Sequence, residues 1–242
     1  MKVVAIVAAR MASTRLPGKH LMDLGGRPML AHVLERAKAI AGVDEVVLAT
    51  TMNSDDDALL PVCEAAGVPM FRRNHPNDVL ARYADCAKLH QADVVVRLTA
   101  DCPLLDPHLA ALALDINLRV TGYTITTIEA SEWLDGLDVE VFRGPTLRAA
   151  HLWTKTKAGR EHVTPWMREK CRPCKVLPLD GERAQFDRLP AAWRKWSVDT
   201  PEDLARVRAI VAHQNTEGYG DLWYHYAFHN VEAALRAAKE TV

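Results

Sequence analysis

A cluster of cationic and hydroxyl side chains follows the first apolar segment of the chain. Arg10, Arg15 and Lys19 lie within ten residues, together with Ser13 and a flexible Gly18. A nucleoside triphosphate needs cations to hold its charge and backbone N–H groups near its oxygens, and this segment offers both. The pattern also fits a solvated basic loop, but its position directly after a predicted buried strand favours a phosphate site.

This segment differs from two common phosphate-binding motifs. It matches neither the Walker loop, G-x-x-x-x-G-K-[ST], nor the dinucleotide-binding pattern G-x-G-x-x-G. Kinases with a Walker loop and dehydrogenases are therefore disfavoured.

Two carboxylates far apart in the sequence form the second set of candidates. Asp101 follows the apolar run at 94–98, and Asp199 directly precedes Thr200. Mg²⁺ prefers oxygen ligands and the phosphates of its substrate, so two carboxylates at separate strand ends could share one ion. Each could instead cap a turn or a helix. That alternative is weaker because Thr200 and Asp106 are separate candidates for the capping role.

The elements that must position these groups follow from the hydrophobic pattern. Apolar runs at 2–8, 45–51 and 93–98 are typical of strands buried on both faces, and helical patterns lie between them. This alternation predicts an α/β fold with a mainly parallel central sheet. Since such sheets bind ligands at the carboxyl ends of their strands, the basic loop and both aspartates are expected at one edge.

The second half of the chain is less regular. Strands predicted at 123–128 and 137–142 have short connections, which indicates an insertion over the sheet at about 120–180. Thr200 begins a helix with a proline at its first position and acidic residues in its first turn. Apolar residues predict a packed helical tail at about 218–242. We expect one domain over the whole chain.

The composition excludes several classes of protein. A formal net charge of −1 over 242 residues gives no electrostatic reason to expect nucleic acid or a membrane as partner. The first apolar run, broken by Arg10, is too short to span a membrane. Five irregularly spaced cysteines argue against a secreted disulfide framework, and Cys171 and Cys174 are interpreted as two reduced thiols. A cytoplasmic enzyme is expected.

The basic segment carries a family resemblance. Residues 9–19, continued by Leu24-Gly25-Gly26-Arg27-Pro28-Met29, resemble the amino-terminal signature of the cytidylyltransferases that make CMP-3-deoxy-manno-octulosonate and CMP-sialate. The match is closest to the spore-coat polysaccharide type of that superfamily. The resemblance implies a three-layer, GT-A/Rossmann-like nucleotidyltransferase fold, CTP as nucleotide, Mg²⁺ as cofactor and a homodimer.

The resemblance also implies roles for individual residues. The motifs around Asp101 and Asp199 are similar to family segments that hold the catalytic metal, so both are predicted metal ligands. With them, Arg15 and Lys19 are the predicted catalytic residues. The predicted nucleotide contacts are Ala8, Ala9, Arg10, Ser13, Arg15, Lys19, Arg72, Asp78 and Thr99, with the backbone of the first two near the cytosine. The predicted acceptor contacts are Arg97, Asp138, Glu140 and His162.

Plain structural roles also fit some of these residues. Arg72 and Asp78 lie in a polar segment that could simply lead into a helix. His162 follows an arginine and a glutamate that could form ion pairs on a helix surface.

The segment around Asp101 departs from the better-known relatives. Sialate and octulosonate enzymes tend to carry a glutamine where this chain has Thr99, and the octulosonate enzymes carry an acid where it has Cys102. We therefore expect a CTP-dependent enzyme whose natural acceptor is an acidic sugar, phosphonate or phosphorylated compound other than 3-deoxy-manno-octulosonate. Transfer from GTP or UTP and a non-catalytic nucleotide-binding protein are the alternatives. A GT-A glycosyltransferase is a further alternative, but it would need an Asp-x-Asp motif. The acidic residues at 55–57 instead indicate the start of a helix.

Overall fold

The computed structural model describes residues 1–216 and 227–240. Its strands are β1 (Val3–Ala8), β2 (Asp23–Leu24), β3 (Arg27–Pro28), β4 (Glu45–Thr51), β5 (Met70–Arg73), β6 (Val94–Thr99), β7 (Thr124–Ile128), β8 (Val139–Arg143) and β9 (Arg172–Lys175). Seven of them form one sheet in the order β5-β4-β1-β6-β8-β7-β9, and β2 pairs with β3 in a small ribbon.

Helices connect these strands. They are α1 (Met29–Lys38), α2 (Leu60–Ala66), α3 (Val79–Leu89), α4 (Pro107–Arg119), α5 (Gly144–Trp153), α6 (Lys157–His162), α7 (Pro165–Lys170), α8 (Asp180–Asp187), α9 (Pro201–Thr216) and α10 (Ala227–Glu240). Short 3-10 turns occur at Lys19–Leu21, Ser54–Leu59 and Ala191–Trp193. No helix in the described part of the chain is long and apolar enough to cross a membrane.

The first half of the sheet is parallel, as the sequence predicts. β1 pairs in parallel with both β4 and β6, and β4 with β5. On the other side, β8 runs antiparallel to β6 and β7, whereas β9 runs parallel to β7. The α/β fold with a mainly parallel sheet is confirmed.

Alternating side chains of β1 enter two separate cores. Val3, Ala5 and Val7 pack in the larger cluster, while Val4 and Ile6 pack in the other. Because successive side chains of a strand point to opposite faces, each face of the sheet is covered by helices. The two cores give the predicted three layers and hold the strand ends rigidly in place.

The prediction of an insertion over the sheet at about 120–180 is wrong. Strands β7, β8 and β9 from this segment belong to the sheet itself and form its far edge. The hydrophobic pattern gave a wrong prediction because β8 lies between β6 and β7 in the sheet. Periodicity along the chain does not contain this strand order. Helices α5, α6 and α7 of the same segment lie between β8 and β9 in the chain.

Element boundaries differ by a few residues from the predictions. The helix expected from residue 55 begins as a 3-10 turn, and α2 follows and ends at Gly67 in a left-handed conformation. The predicted tail at about 218–242, including Leu222, Trp223 and Tyr226, lies partly outside the described residues. Within them, α10 packs against α9.

Candidate functional site

The basic segment is a compact loop between β1 and the 3-10 turn at Lys19. The amide of Gly18 bonds to the carbonyl of Met11 at 3.2 Å, and Gly18 has φ 72°, which glycine adopts without strain. The amide of Met11 donates to the buried carboxylate of Asp56 at 2.7 Å. Asp56 also accepts from Thr50 at 2.8 Å and thereby ties the loop to the end of β4.

Lys19 joins the two predicted metal carboxylates. Its Nζ lies 3.1 Å from Asp101 Oδ2, 3.1 Å from Asp199 Oδ1 and 2.6 Å from the carbonyl oxygen of Val198. The side chain of Lys19 is only 6% exposed. The amide of Val198 bonds to the carbonyl of Asp101 at 2.8 Å, which fixes the two acidic segments side by side. The sequence places these aspartates 98 positions apart, and the fold brings them to one ammonium group.

Cations surround both aspartates, and they lower the pKa of Asp101. Burial acts to raise the pKa of Asp101, but the ammonium of Lys19 outweighs it and holds that pKa below its ordinary value. Arg15 NH2 lies 2.9 Å from Asp199 Oδ1, and Lys195 Nζ lies 3.3 Å from Asp199 Oδ2. Asp199 therefore faces three cations.

A cavity of about 310 Å³ opens above the ends of β1 and β6. The residues predicted to contact nucleotide or metal that line it are Ala8, Ala9, Arg10, Ser13, Arg15, Lys19, Thr99, Asp101 and Asp199. Thr14, His20, Val79, Arg82, Arg97, Ala100, Glu161 and His162 complete the lining. We call it the first cavity. Burial lowers the pKa of His20 to about 4, so this histidine adds no charge at neutral pH.

A second cavity of about 320 Å³ shares the aspartates with the first. Its lining consists of Arg97, Thr99, Asp101, Cys102, Ile128, Asp135, Asp138, Glu140, Arg168, Ser197 and Asp199. The predicted acceptor residues Asp138, Glu140 and Arg97 are thus brought together on the far side of Asp101. His162 is not among them. It was grouped with Asp138 and Glu140 in the sequence, but the end of α6 places it at the first cavity.

Glu140 neutralises both arginines of the second cavity. It accepts from Arg97 NH1 at 2.5 Å, from Arg168 NH2 at 2.6 Å and from the Thr164 hydroxyl at 2.7 Å. Burial acts to raise the pKa of Glu140, but Arg97 and its other donors hold it below the ordinary value. Arg168 also pairs with Glu129, which in turn bonds to Lys175 at 2.9 Å. The arginines are therefore held by acids of the protein itself.

A tight loop presents two more carboxylates to the second cavity. Asp138 accepts from the backbone amides of Ala130 at 3.0 Å and Gly136 at 3.1 Å, and burial raises its pKa. Gly136 has φ 104°, and a Cβ there would lie 2.5 Å from the amide nitrogen of Ser197. Only glycine allows this loop to approach the Asp199 segment so closely. Among the described residues, Asp135 and Asp138 form no ion pair.

Two predicted nucleotide contacts lie outside both cavities. Arg72 pairs with Asp57 and donates to the carbonyl oxygen of Thr51 at 2.9 Å. Asp78 caps α3 by accepting from the amide of Ala81, and it pairs with Arg160 at 2.8 Å. Asp78 thus has the helix-start role considered for it, whereas Arg72 belongs to β5 and forms an ion pair instead.

The structure adds functional candidates that the sequence did not identify. Arg82 of α3 lines the first cavity, and Asp135 and Arg168 line the second. The only signal in the sequence was the position of Arg82 at the end of the polar segment that leads into α3. Asp135 and Arg168 carried no signal, because their place depends on the pairing of β7, β8 and β9.

The pair Asp101 and Asp199 suits a hard divalent cation. Both carboxylates already converge on one positive group, and carboxylate oxygens are the ligands that such ions prefer. In the described residues no three His, Cys, Asp or Glu side chains form a complete metal cage. An ion here would take its remaining ligands from water and substrate phosphates, which is how Mg²⁺ usually binds in phosphate-transfer sites.

Volume alone does not identify the site. A groove of about 590 Å³ lies between α1 and α2, lined by Arg27, Pro28, Ala31, Glu35, Lys38, Pro61, Val62, Ala65 and Ala66. It is larger than either cavity but lies away from the strand ends and mixes mostly apolar side chains with scattered charges. The convergence of cations and carboxylates distinguishes the first and second cavities.

Comparison with known proteins identifies similar sequences and folds. The family model described as cytidylyltransferase matches residues 4–224. An uncharacterized protein of Methanocaldococcus jannaschii is 36% identical over 88% of this chain and 84% of its own length. The 3-deoxy-manno-octulosonate cytidylyltransferase of Anaeromyxobacter sp. (strain Fw109-5) is 39% identical over 87% of this chain and 97% of its own.

Solved structures of similar fold include two proteins that act on cytidine nucleotides according to their names. A cytidylyltransferase from Leptospira borgpetersenii superposes with a TM-score of 0.81 at 28% identity, covering 100% of this chain and 95% of that one. A CMP:2-keto-3-deoxy-manno-octonic acid synthetase complexed with CTP superposes with a TM-score of 0.63 at 22% identity, covering 88% of this chain and all of the other, and supports the fold.

Proposed function

Because the chain belongs to the cytidylyltransferase family, we propose that it transfers CMP from CTP to an acidic acceptor with release of pyrophosphate. The acceptor class is a sugar acid or a phosphorylated or phosphonate compound. The observation that carries this proposal is the convergence of Asp101 and Asp199 on Lys19, at the boundary between the two cavities. Relatives named as 3-deoxy-manno-octulosonate cytidylyltransferases support an acidic sugar.

In the proposed reaction an acceptor oxygen attacks the α-phosphorus of CTP in line. The new bond joins that oxygen to phosphorus, and the bond to the bridging oxygen of the β-phosphate breaks. Arg15 and Lys19 balance the negative charge that develops on the departing pyrophosphate. An acceptor oxygen that is already anionic needs no general base, and none of the side chains at the boundary of the cavities is required to act as one.

We assign the metal-binding role to Asp101 and Asp199, with Mg²⁺ as the proposed ion. When bound, such an ion withdraws charge from the α-phosphate. The low pKa of Asp101 keeps its carboxylate ready to bind a cation at neutral pH. Lys19 balances part of the charge of both carboxylates.

The second cavity is the proposed acceptor site. Arg97 reaches both cavities, and its Nε has no hydrogen-bond partner among the described residues. We propose that it donates a hydrogen bond to an acceptor oxygen while Glu140 balances its charge. Asp135 and Asp138, which form no ion pair with the residues that the structure describes, suit acceptor hydroxyl groups. Buried Cys102 offers no acidic contact at the position where the octulosonate enzymes carry one, so we infer a different acceptor from 3-deoxy-manno-octulosonate.

Assignment to the spore-coat polysaccharide type rests on the segment Gly136 to Phe142 and on His162, which resemble that type. We further propose a homodimer, a single domain over the whole chain and a cytoplasmic location.

The test is an assay of pyrophosphate release by the purified full-length protein with Mg²⁺. CTP, GTP and UTP are supplied at equal concentration, each with a panel of sugar acids, phosphonates and phosphorylated acids. CTP-specific release that requires an acceptor is expected. Preference for GTP or UTP would contradict the nucleotide assignment, and efficient turnover of 3-deoxy-manno-octulosonate would contradict the acceptor assignment. Nucleotide binding without release over the whole panel would favour a non-catalytic binding protein.

A further inference from the structure

One cation of the first cavity differs from the others in its surroundings. Arg82 is only 2% exposed, yet it forms no ion pair with any described residue. Its NH2 donates to the carbonyl oxygen of Pro76 at 2.8 Å, whereas its Nε has no hydrogen-bond partner there. A buried guanidinium with one neutral acceptor lacks the partner charge that normally offsets the loss of water.

The neighbouring side chains make this deficit larger. Arg10 NH1 approaches the same carbonyl of Pro76 at 3.5 Å and the amide oxygen of Asn77 at 3.1 Å, so two guanidinium groups share one loop. Burial lowers the pKa of Arg82, and the positive charge of Arg10 acts in the same direction. Asp56 acts on Arg82 as a nearby negative charge, but its oxygens are bonded to Met11, Thr50 and Thr51.

The other cations of the first cavity already have acidic partners. Lys19 pairs with Asp101 and Asp199, Arg15 with Asp199, and Arg97 with Glu140. Among the cations of this lining, and with respect to the residues the structure describes, Arg10 and Arg82 alone lack a carboxylate. An anion that enters the cavity therefore finds its uncompensated positive charge at these two residues.

We propose that Arg82, together with Arg10, binds the terminal phosphates of the nucleotide, the part that leaves as pyrophosphate. This assignment rests on the proposed function, since it takes the first cavity to be the CTP site. A guanidinium suits the role because its planar array of donors matches phosphate oxygens. The bond from NH2 to Pro76 holds the group at the wall of the cavity that it lines.

A purely structural role for Arg82 predicts a different effect of its removal on stability. An anchor for the Pro76 carbonyl needs a donor but not a full charge, and its removal would destabilise the protein. Removing a buried charge that has no protein partner should instead leave the ligand-free protein as stable as before, or more stable.

The test compares the variants Arg82→Met and Arg82→Lys with the wild-type protein by calorimetric titration with CTP, CMP and inorganic tripolyphosphate, without acceptor. Arg82→Met is expected to weaken CTP and tripolyphosphate binding by about 10- to 100-fold, the value of a charge-assisted hydrogen bond, with little effect on CMP. Arg82→Lys should retain part of the affinity. Arg73→Met is the matched control, because Arg73 lies before the same helix but pairs with Asp85 outside the cavity.

Melting temperatures without ligand complete the test, and Arg82→Met should melt no lower than wild type. Equal losses for CMP and CTP would overturn the proposal by placing Arg82 at the base, ribose or α-phosphate. A lower melting temperature with unchanged affinities would assign a structural role. If wild type binds tripolyphosphate through Arg82 but not CTP, the proposed function fails and the phosphate site stands. If wild type binds neither ligand, both fail.

Discussion

The two cavities meet at Asp101 and Asp199 but balance their charges in opposite ways. In the first cavity Arg10 and Arg82 have no acid among the described residues. In the second, Glu140 holds both arginines. With respect to the described part of the chain, arginines without an acidic partner therefore line the first cavity and not the second. The difference suggests that the first cavity is built to receive a polyanion, whereas the ion pairs of the second serve first to hold the walls in place.

The largest effect is expected where the cavities meet. Asp101→Asn and Asp199→Asn should each lower kcat by about 10³-fold or more, because the transition state loses several kcal/mol of charge stabilisation. Both variants should keep the far-ultraviolet circular dichroism of the wild type. Single-turnover pyrophosphate release measures the effect. A near-normal rate in either variant would refute the metal assignment.

The next prediction concerns the ion pairs of the second cavity. Glu140→Gln should lower the free energy of unfolding by about 3 kcal/mol, because it leaves two arginines without their shared counter-ion. Urea unfolding measures the change. Glu132→Gln is the control, since Glu132 forms an exposed pair with Arg183 and should change stability by about 0.5 kcal/mol or less. An equally small change for Glu140→Gln would show that pairing with Glu140 does not stabilise the protein. The proposed difference between the paired arginines of the second cavity and Arg82 would then fail.

The next prediction concerns Lys19, which lines the first cavity and lies where the two cavities meet. Lys19→Met should lower turnover by about 10²-fold, the usual loss when one charge-stabilising donor is removed. Binding of CMP should change little, because CMP lacks the phosphates that leave. Parallel measurement of kcat and of CMP affinity gives the comparison. Equal losses of CMP and CTP affinity would instead place Lys19 beside the base or the α-phosphate.

The smallest effect is a dependence of stability on acid pH. Burial acts to raise the pKa of Glu129, but hydrogen bonds from Lys175, Thr127 and Arg168 lower it to about 2. A lowered pKa contributes stability that is present above the unfolded value of about 4.3 and is lost as pH falls towards 2. Since the site is partly solvated, the contribution should be only about 1 kcal/mol.

Urea unfolding between pH 5 and pH 2 measures this dependence in wild type and in Glu129→Gln. The variant should be less stable at pH 5 and should approach the wild-type value at pH 2. A constant difference between the two proteins over this range would show that the charge of Glu129 contributes nothing to stability.

Several parts of the site were accessible from sequence because they are local. The loop from Arg10 to Lys19 follows a strand whose apolar run is unmistakable, and strand ends of a parallel sheet collect at one edge. The same logic brought Asp101 to that edge. Asp106 and Thr200 were recognised as helix caps from neighbouring residues alone, and both cap their helices. Each of these predictions needed only the chemistry of a short segment.

Other parts could not be predicted because they depend on strand order. The interpretation of 120–180 as an insertion failed, since the antiparallel placement of β8 between β6 and β7 leaves no trace in periodicity. The same placement sets Glu140 opposite Arg97 in the register of the two strands. It therefore decided the charge of the second cavity.

The sequence by itself determined the α/β class, the basic loop and the two aspartates, because periodicity and residue type are properties of short segments. Only the tertiary structure decided which cations keep a free charge. Arg72 and Arg82 lie ten positions apart in the chain, yet one pairs with Asp57 at the surface and the other is buried in the first cavity. Whether an arginine meets an acid depends on which elements pack around it, and that is fixed only when the whole chain has folded.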